Sequence, residues 1–327
     1  MSNLSVSYLG LNLKNPIIIG SSGLTNSVEK IVEIEKQGAA AVVLKSLFEE
    51  QILAESAGHI DHDESFGYDV HDYISNYTRD HKLGDYLKLI KDAKASVSIP
   101  IIASINCVSD TEWVEFSRKI EEAGADALEI NISLLPSNHE LRGVQNEEIY
   151  FSILENVRKN TNLPIAVKMS QYSGGLANLI KRIGWSKSVD GIVLFNRYYS
   201  PDIDVDTMQI SHTNIFSTAQ EIATSLRWIA ISSNFVEIDL AATTGVHSGK
   251  DVVKQILAGA KVVEIVSTIY KNGPNHIPGM ISEIEGWMKE HKYDDLQGFR
   301  GIMSYDKSKG TAAFERIQFM KHFAGIE

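Results

Sequence analysis

Residues 122–130 read EAGADALEI, and the same phrase returns as QGAAAVVLK at 37–45 and as LAGAKVVEI at 257–265. In each, a glycine closes an amphipathic helix, and within two or three residues the chain turns apolar or β-branched, as a strand does. This is the helix-to-strand joint of a βα repeat. Working outward from the three joints gives strands near 15–22 (NPIIIGSS), 40–47 (AAVVLKSL), 100–107 (PIIASINC), 126–133 (DALEINIS), 164–170 (PIAVKMS), 190–196 (DGIVLFN), 237–245 (EIDLAATTG) and 261–268 (KVVEIVST). Helical periodicity fills the intervals, as in EWVEFSRKIEEAG and IYFSILENVRKN.

Eight such alternations over about 250 residues predict an α/β fold, the (β/α)8 TIM barrel. No low-complexity linker divides the chain, so residues 1–327 read as one domain with a C-terminal helical extension from about residue 293. A doubly wound open sheet is the competing arrangement, but the GxGxxG fingerprint is missing after the first strand. Loop insertions are expected after strands two, four and six, where barrel enzymes carry their substrate loops. The second-strand insertion, 48–80, is rich in His, Asp, Glu and Tyr, and the sixth-strand one, 197–216, contains RYYSPDIDVD.

The bulk numbers fit a globular enzyme acting on a small molecule. Of 327 residues, 43% are hydrophobic and 22% charged, enough for a substantial core. A formal charge of −11 disfavours nucleic acid and anionic lipid, which need clustered cations. The single cysteine, Cys107, rules out an internal disulfide or iron–sulfur site and fits a reducing, cytoplasmic location. No signal peptide and no run of roughly 18 apolar residues is present, so no membrane association is expected.

Polar residues at strand ends are the candidate site. Strand two ends in Lys45 and Ser46, strand four offers Asn131 and Ser133, strand five Lys168 and Ser170, and strand six Asn196. Strands seven and eight end in Thr243, Thr244 and Gly245, and in Ser267 and Thr268. A lysine inside an apolar strand needs an anion or must lose its proton. Glu129 and Glu264, also in core strands, offer a buried salt bridge to Lys45 and Lys168 as a purely structural answer. TTG and ST before helices suit a phosphate, which free N–H groups and the helix dipole attract, although capping by Ser248 explains the same pattern without a ligand. The histidines of HIDHDESFGYDVHD (His59, His62, His71) lack metal-site spacing, so no metal is expected. Cys107 reads as a small core residue.

Taken in order, NPIIIGSSG, VVLKS, PIIASI, AGADALEINIS, LPIAVKMS, the Asn of VLFN, TTGVHSGKD and AGAKVVEIVST resemble the dihydroorotate dehydrogenase family of FMN barrels, particularly its soluble class 1 members. The resemblance runs over most of the chain. It implies FMN as cofactor, with Ser21, Ser22, Gly23, Lys45, Ser46, Asn131 and Lys168 around the ring and Ser217, Thr218, Thr244, Gly245, Ser267 and Thr268 around the phosphate. It implies substrate contacts from Lys45, Asn131 and Asn196, catalytic work by Lys45, a homodimer, and hydride transfer from a CH–CH substrate such as dihydroorotate. The electron acceptor or partner subunit stays open. In chemical terms a fixed cation such as Lys168 stabilises the negative charge of a reduced ring, and paired asparagines offer donors and acceptors to a planar imide.

The chain departs from the family at the substrate. The family pattern N-x-S followed by Cys or Ser, Pro and Asn is here Asn131-Ile132-Ser133-Leu134-Leu135-Pro136-Ser137-Asn138, and leucine accepts no proton. The proton acceptor is then Ser133, Ser137 or a histidine of 59–71. The family's N-x-x-G-L-x-N segment is replaced by the His- and Asp-rich 59–76 region, and its Gly-Gly phosphate turn by Thr244-Gly245. The alternatives are a flavin enzyme with another small planar substrate, a flavin-free lyase or aldolase forming a Schiff base on Lys45 or Lys168, and a non-catalytic scaffold.

Overall fold

The computed structural model describes residues 2–48, 68–106, 113–198, 200–307 and 314. The chain opens with a hairpin, β1 (Val6–Tyr8) against β2 (Leu11–Leu13). Leu9 (φ 51°) and Gly10 (φ 74°) make its turn, both left-handed as a two-residue hairpin of native twist demands. Barrel strands follow: β3 (Ile17–Ile19), β4 (Ala41–Val43) with its short continuation β5 (Leu47–Phe48), β6 (Ile101–Asn106), β7 (Ala127–Ile132), β8 (Ile165–Met169) and β9 (Gly191–Leu194). A second hairpin, β10 (Ser200–Asp204) with β11 (Gln209–Thr213), precedes β12 (Asp239–Thr243) and β13 (Val262–Ile265).

Every barrel pairing is parallel, and β13 returns to pair with β3, Glu264 opposite Ile18. The sheet is therefore a closed ring of eight strands, the expected barrel, and the open-sheet alternative falls. Each expected strand is found within the stretch assigned to it. The helices between them are α1 (Val28–Lys36), α2 (Tyr68–Ser96), α3 (Trp113–Glu122), α4 (Gly143–Arg158), α5 (Leu176–Trp185), α6 (Ile222–Ser232), α7 (Gly249–Ala258), α8 (Ser267–Asn272) and α9 (His276–His291).

Two apolar clusters follow from the strand period of two. Leu128, Ile130 and Ile132 of β7 face outward and pack under the helices, with Ile153 and Leu154 of α4 among their cluster. Ala127 faces inward, in the cluster of Ile18, Val43, Ile102, Ala166, Val193 and Val262. Tyr8, Leu9 and Leu13 join that inner cluster, so the first hairpin plugs the N-terminal end of the barrel. Leu9 N–H donates to Asp239 at 2.8 Å, and the Leu9 side chain lies so close that a Cβ at Gly191 would meet it at 2.8 Å. The plug leaves the opposite end, at the strand C-termini, for chemistry.

Of the expected C-terminal helical extension, residues 293–307 form turns and Phe314 is helical, and the remainder lies outside the described residues. Residues 293–307 tuck under the barrel, where Gly301 and Met303 N–H groups donate to Ile256 and Leu257 carbonyls at 2.9 Å and Phe299 is wholly buried. Those carbonyls lie in the last turn of α7, so the extension supplies donors that the helix end lacks. Cys107, His59 and His62 lie outside the described residues, as does the side chain of His71. Among the described residues no helix is long and apolar enough to cross a membrane.

Candidate active site

A pocket of about 530 Å³ opens at the C-terminal ends of β3, β9, β12 and β13, within the size range of small-ligand sites. Of the residues expected there, Ser21, Ser22, Gly23, Lys168, Asn196, Ser217, Thr244, Gly245 and Ser267 line it. A hydroxyl chain braces one rim: Ser21 Oγ lies 2.9 Å from Ser46 Oγ, which lies 2.8 Å from Ser104 Oγ. Ser46 is therefore buried in support of Ser21 rather than exposed to the cavity. Lys45 is exposed between β4 and β5.

One end is built for an anion. Ser217 N–H donates to Ser267 Oγ at 2.9 Å, Ser217 Oγ lies 3.1 Å from His247 Nε2, and Lys271 Nζ donates to the Ser217 carbonyl at 2.7 Å. Burial, with Lys271 adding to it, holds the His247 imidazole below its usual range, so the ring is neutral at pH 7 and the cation here is Lys271. Thr244 (φ 72°) and Gly245 (φ 78°) turn the chain into the pocket rim. At Gly245 a Cβ would fall 2.1 Å from Ile222 N, so glycine is obligatory.

The helix beyond TTG does not face the ligand. Ser248 Oγ accepts from Asp251 N–H as the N-cap of α7, and Glu283 takes the Gly249 N–H at 2.8 Å. The α7 amides are thus already satisfied, and capping by Ser248 is its actual role. Thr218 likewise caps a 3-10 turn with Glu221, and Thr268 is fully buried with its hydroxyl donating to the His247 carbonyl at 3.3 Å. Neither lines the pocket, Thr218 being exposed and Thr268 buried.

The floor is an ion triad. Lys168 Nζ sits 2.6 Å from Glu264 Oε2 and 3.4 Å from Glu129 Oε1, all three nearly enclosed. Burial works against the ammonium, but the two carboxylates outweigh it and raise the Lys168 pKa, so the amine stays charged. A Schiff base needs a neutral amine, so this lysine is held in the wrong state for one. The pairing of Lys168 with Glu129 and Glu264, weighed from sequence as the structural answer, is present, while Lys168 still lines the cavity.

At the mouth, Asn196 donates its amide to Asn131, which fixes both side chains face to face at the ends of β9 and β7. Asn106, at the end of β6 opposite Asn131, has a buried Oδ1 with no partner among the described residues, an amide oxygen available to a ligand. Ser133 Oγ donates to Tyr198 OH at 3.1 Å. Leu134 packs against the outer cluster and its carbonyl accepts from Ser170 Oγ at 2.7 Å. Its side chain therefore leaves the mouth to Ser133. Ser137 stands exposed past Pro136, its N–H donating to the Leu135 carbonyl at 2.7 Å.

Sequence reasoning missed Arg197, Lys271 and the aromatic wall. Arg197 binds Glu221 at 2.8 Å and the carbonyls of Asn214 and Ile215 at 2.7 and 3.0 Å, tying the return of the β10–β11 hairpin to the pocket. Phe216 and Tyr270 stack at 5.3 Å over one side. The only signals were adjacency, Arg197 directly after Asn196 and Tyr270 and Lys271 within one helical turn of Ser267.

A closed parallel barrel with a cation-floored pocket and an anion cradle at its C-terminal mouth is the architecture of a (β/α)8 enzyme. Residues 71–288 match the dihydroorotate dehydrogenase family model, more than half of the chain, and the protein belongs to that family of flavin-dependent oxidoreductases acting on CH–CH bonds. It is 25% identical over 306 residues to the catalytic subunit of dihydroorotate dehydrogenase B (NAD(+)) of Thermoplasma acidophilum, covering 92% of this chain and 99% of the relative. It is also 25% identical over 324 residues to the NAD-dependent dihydropyrimidine dehydrogenase subunit PreA of Escherichia coli K12, covering 92% and 76%. A third relative is the chloroplastic dihydropyrimidine dehydrogenase (NADP(+)) of Arabidopsis thaliana, 23% identical over 329 residues, covering 91% and 76%.

Proposed function

We propose that the protein binds FMN in the 530 Å³ pocket and oxidises, or in reverse reduces, the CH–CH bond of a small cyclic amide or imide at the adjoining mouth. The observation that carries this reading is one cavity lined by Ser217 and Ser267, with Lys271 bonded to the Ser217 carbonyl, and floored by a charged lysine. The residues present fit the cofactor: the cradle suits the phosphate, Phe216 and Tyr270 offer apolar faces, and Ser21 to Gly23 close the remaining side. When bound, FMN supplies the two-electron hydride acceptor. The chain's own residues do the rest. Lys168 would offer the reduced ring a fixed cation, Lys45 would act from its exposed place between β4 and β5, and Asn131, Asn196 and Asn106 would position substrate amides.

Of the candidate proton acceptors, Ser133 is best supported. Its Oγ is on the mouth face of β7, and Tyr198 OH is its hydrogen-bond partner, with Ser170 also bonding Tyr198. Burial raises the Tyr198 pKa, so the phenol stays protonated and orients Ser133 by hydrogen bonding alone. Ser137 is the weaker candidate because it is turned to solvent, and the 59–71 histidines lie outside the described residues.

The substrate is either dihydroorotate or a dihydropyrimidine, since relatives named for both cover 92% of the chain. Anaerobic mixing of the FMN-loaded protein with each, followed at the flavin absorbance maximum, decides between them. Bleaching by one compound assigns it, and no bleaching by either removes both. The chain acts as a homodimer, and its electrons leave to a soluble acceptor or to a partner subunit like that implied by the relatives named as subunits. Light scattering at twice the chain mass is the result expected.

A further inference from the structure

The pocket floor holds a charge imbalance that the reaction above does not use. Glu129 and Glu264 are 1% and 2% exposed, and one ammonium, Lys168, serves both. Two ionised carboxylates would leave a net negative charge in a layer resting on Ile18, Ala166 and Val262. An isolated buried charge of that kind is severely unfavourable and is normally removed by protonation. The hydrogen bonds carry a second mismatch: Glu264 Oε1 is buried and receives no donor.

We propose that Glu129 is protonated in the resting protein and donates to the unpartnered oxygen of Glu264, leaving Lys168–Glu264 as the one charged pair and the pocket floor neutral. The distances place the proton. The ammonium is 2.6 Å from Glu264 and 3.4 Å from Glu129, so Glu264 is the better ion-pair partner and Glu129 the one to be neutral. Burial and then the Glu264 charge push the Glu129 carboxyl well above the usual range, with Lys168 opposing them only in part.

Among the described residues no other group on the surrounding elements supplies the missing positive charge. Tyr8, from the plug, and Tyr86, from α2, both have phenols pushed up by burial and are neutral. Asp239, from β12, is matched by Lys261. Ser104, from β6, donates to or accepts from Ser46. Glu129 is therefore a positioning residue: it orients Glu264, which orients Lys168, without adding charge. A neutral floor lets Lys168 face an electron-rich ligand while its partner limits how strongly it pulls.

Infrared difference spectroscopy of the flavin-free protein at neutral pH tests this directly. The expected result is the C=O stretch of a protonated carboxyl, shifted in ²H₂O and absent from E129Q, because that variant leaves one carboxylate that ionises against Lys168. A wild-type spectrum without that band overturns the proposal, as does a band surviving in folded E129Q. Thermal unfolding assigns the proton: E129Q keeps a donor for Glu264 Oε1 and loses less stability than E264Q, whereas the opposite order puts the proton on Glu264. One further arm rests on the FMN reading. In E129Q the midpoint potential of bound FMN stays within about 30 mV of wild type, a tenfold change for a two-electron couple, and a larger rise means Glu129 was charged. Failure to bind FMN sinks the proposed function alone, since the infrared result stands without it.

Discussion

The same eight strands carry two layers of opposite character inside one barrel. Below, Ile18, Ile102, Ala127, Ala166, Val193 and Val262 fill the interior and Tyr8, Leu9 and Leu13 seal it. Above, at the next inward positions of the same strands, stand Ser104, Glu129, Lys168 and Glu264, and above those Asn106 and Asn131. Two residues of rise separate a layer that only stabilises from one that binds. The lower layer obtains its stability from burial, about 1.5–3 kcal/mol for each fully buried aliphatic side chain. It thereby tolerates an upper layer whose desolvated charges contribute little net stability.

Variants in each layer break or sharpen this contrast. The largest effect is expected at the mouth: Ser133→Ala lowers the rate of flavin reduction by substrate roughly 10²- to 10⁴-fold, measured by anaerobic stopped flow, with FMN affinity unchanged. An equal loss in FMN affinity would place Ser133 in the cofactor site instead. Next is Lys168→Met, which leaves the Glu264 carboxylate buried without its cation. It lowers unfolding free energy by about 3–5 kcal/mol and weakens FMN binding, by chemical denaturation and flavin titration. Ile18→Ala in the lower layer costs about 2–5 kcal/mol of stability but leaves FMN affinity untouched; coupled losses would dissolve the separation of layers. Smallest is Ser248→Ala, about 0.5–2 kcal/mol, again with unchanged FMN affinity, since Ser248 caps α7 rather than a phosphate.

The barrel was legible because its signal is local. A glycine-terminated helix running into β-branched residues marks each strand start, and the period of two sorts Asn131 and Glu129 inward from Ile130 and Ile132. Strand-end residues such as Lys168, Asn196 and Ser267 followed from the rule that barrel enzymes act at strand C-termini, and Ser21 from the family resemblance. Relations across distant segments were not legible. The Arg197–Glu221 pair, the reach of Lys271 to Ser217 over 54 residues and the plugging of the barrel by residues 6–13 depend on the tertiary course of the chain. Thr218 and Thr268 show the converse. Residues beside a phosphate turn also suit capping, and other hydrogen bonds claimed them first, the Thr218 N–H by Glu221 and the Thr268 hydroxyl by the His247 carbonyl. The course of residues 293–307 was equally hidden, because the N–H groups of Gly301 and Met303 find their partners in the carbonyls at the end of α7, a segment distant in sequence.

The claim on which the functional account depends is that the upper-layer pocket is a flavin mononucleotide site. Titration of the purified protein with FMN and with riboflavin, followed by quenching of flavin fluorescence, tests it most directly. The account predicts one FMN per chain, bound more tightly than riboflavin because Ser217 and Ser267 hold the phosphate, with the preference lost in Ser267→Glu. A protein that takes up neither flavin, or binds both equally with Ser267→Glu silent, contradicts it.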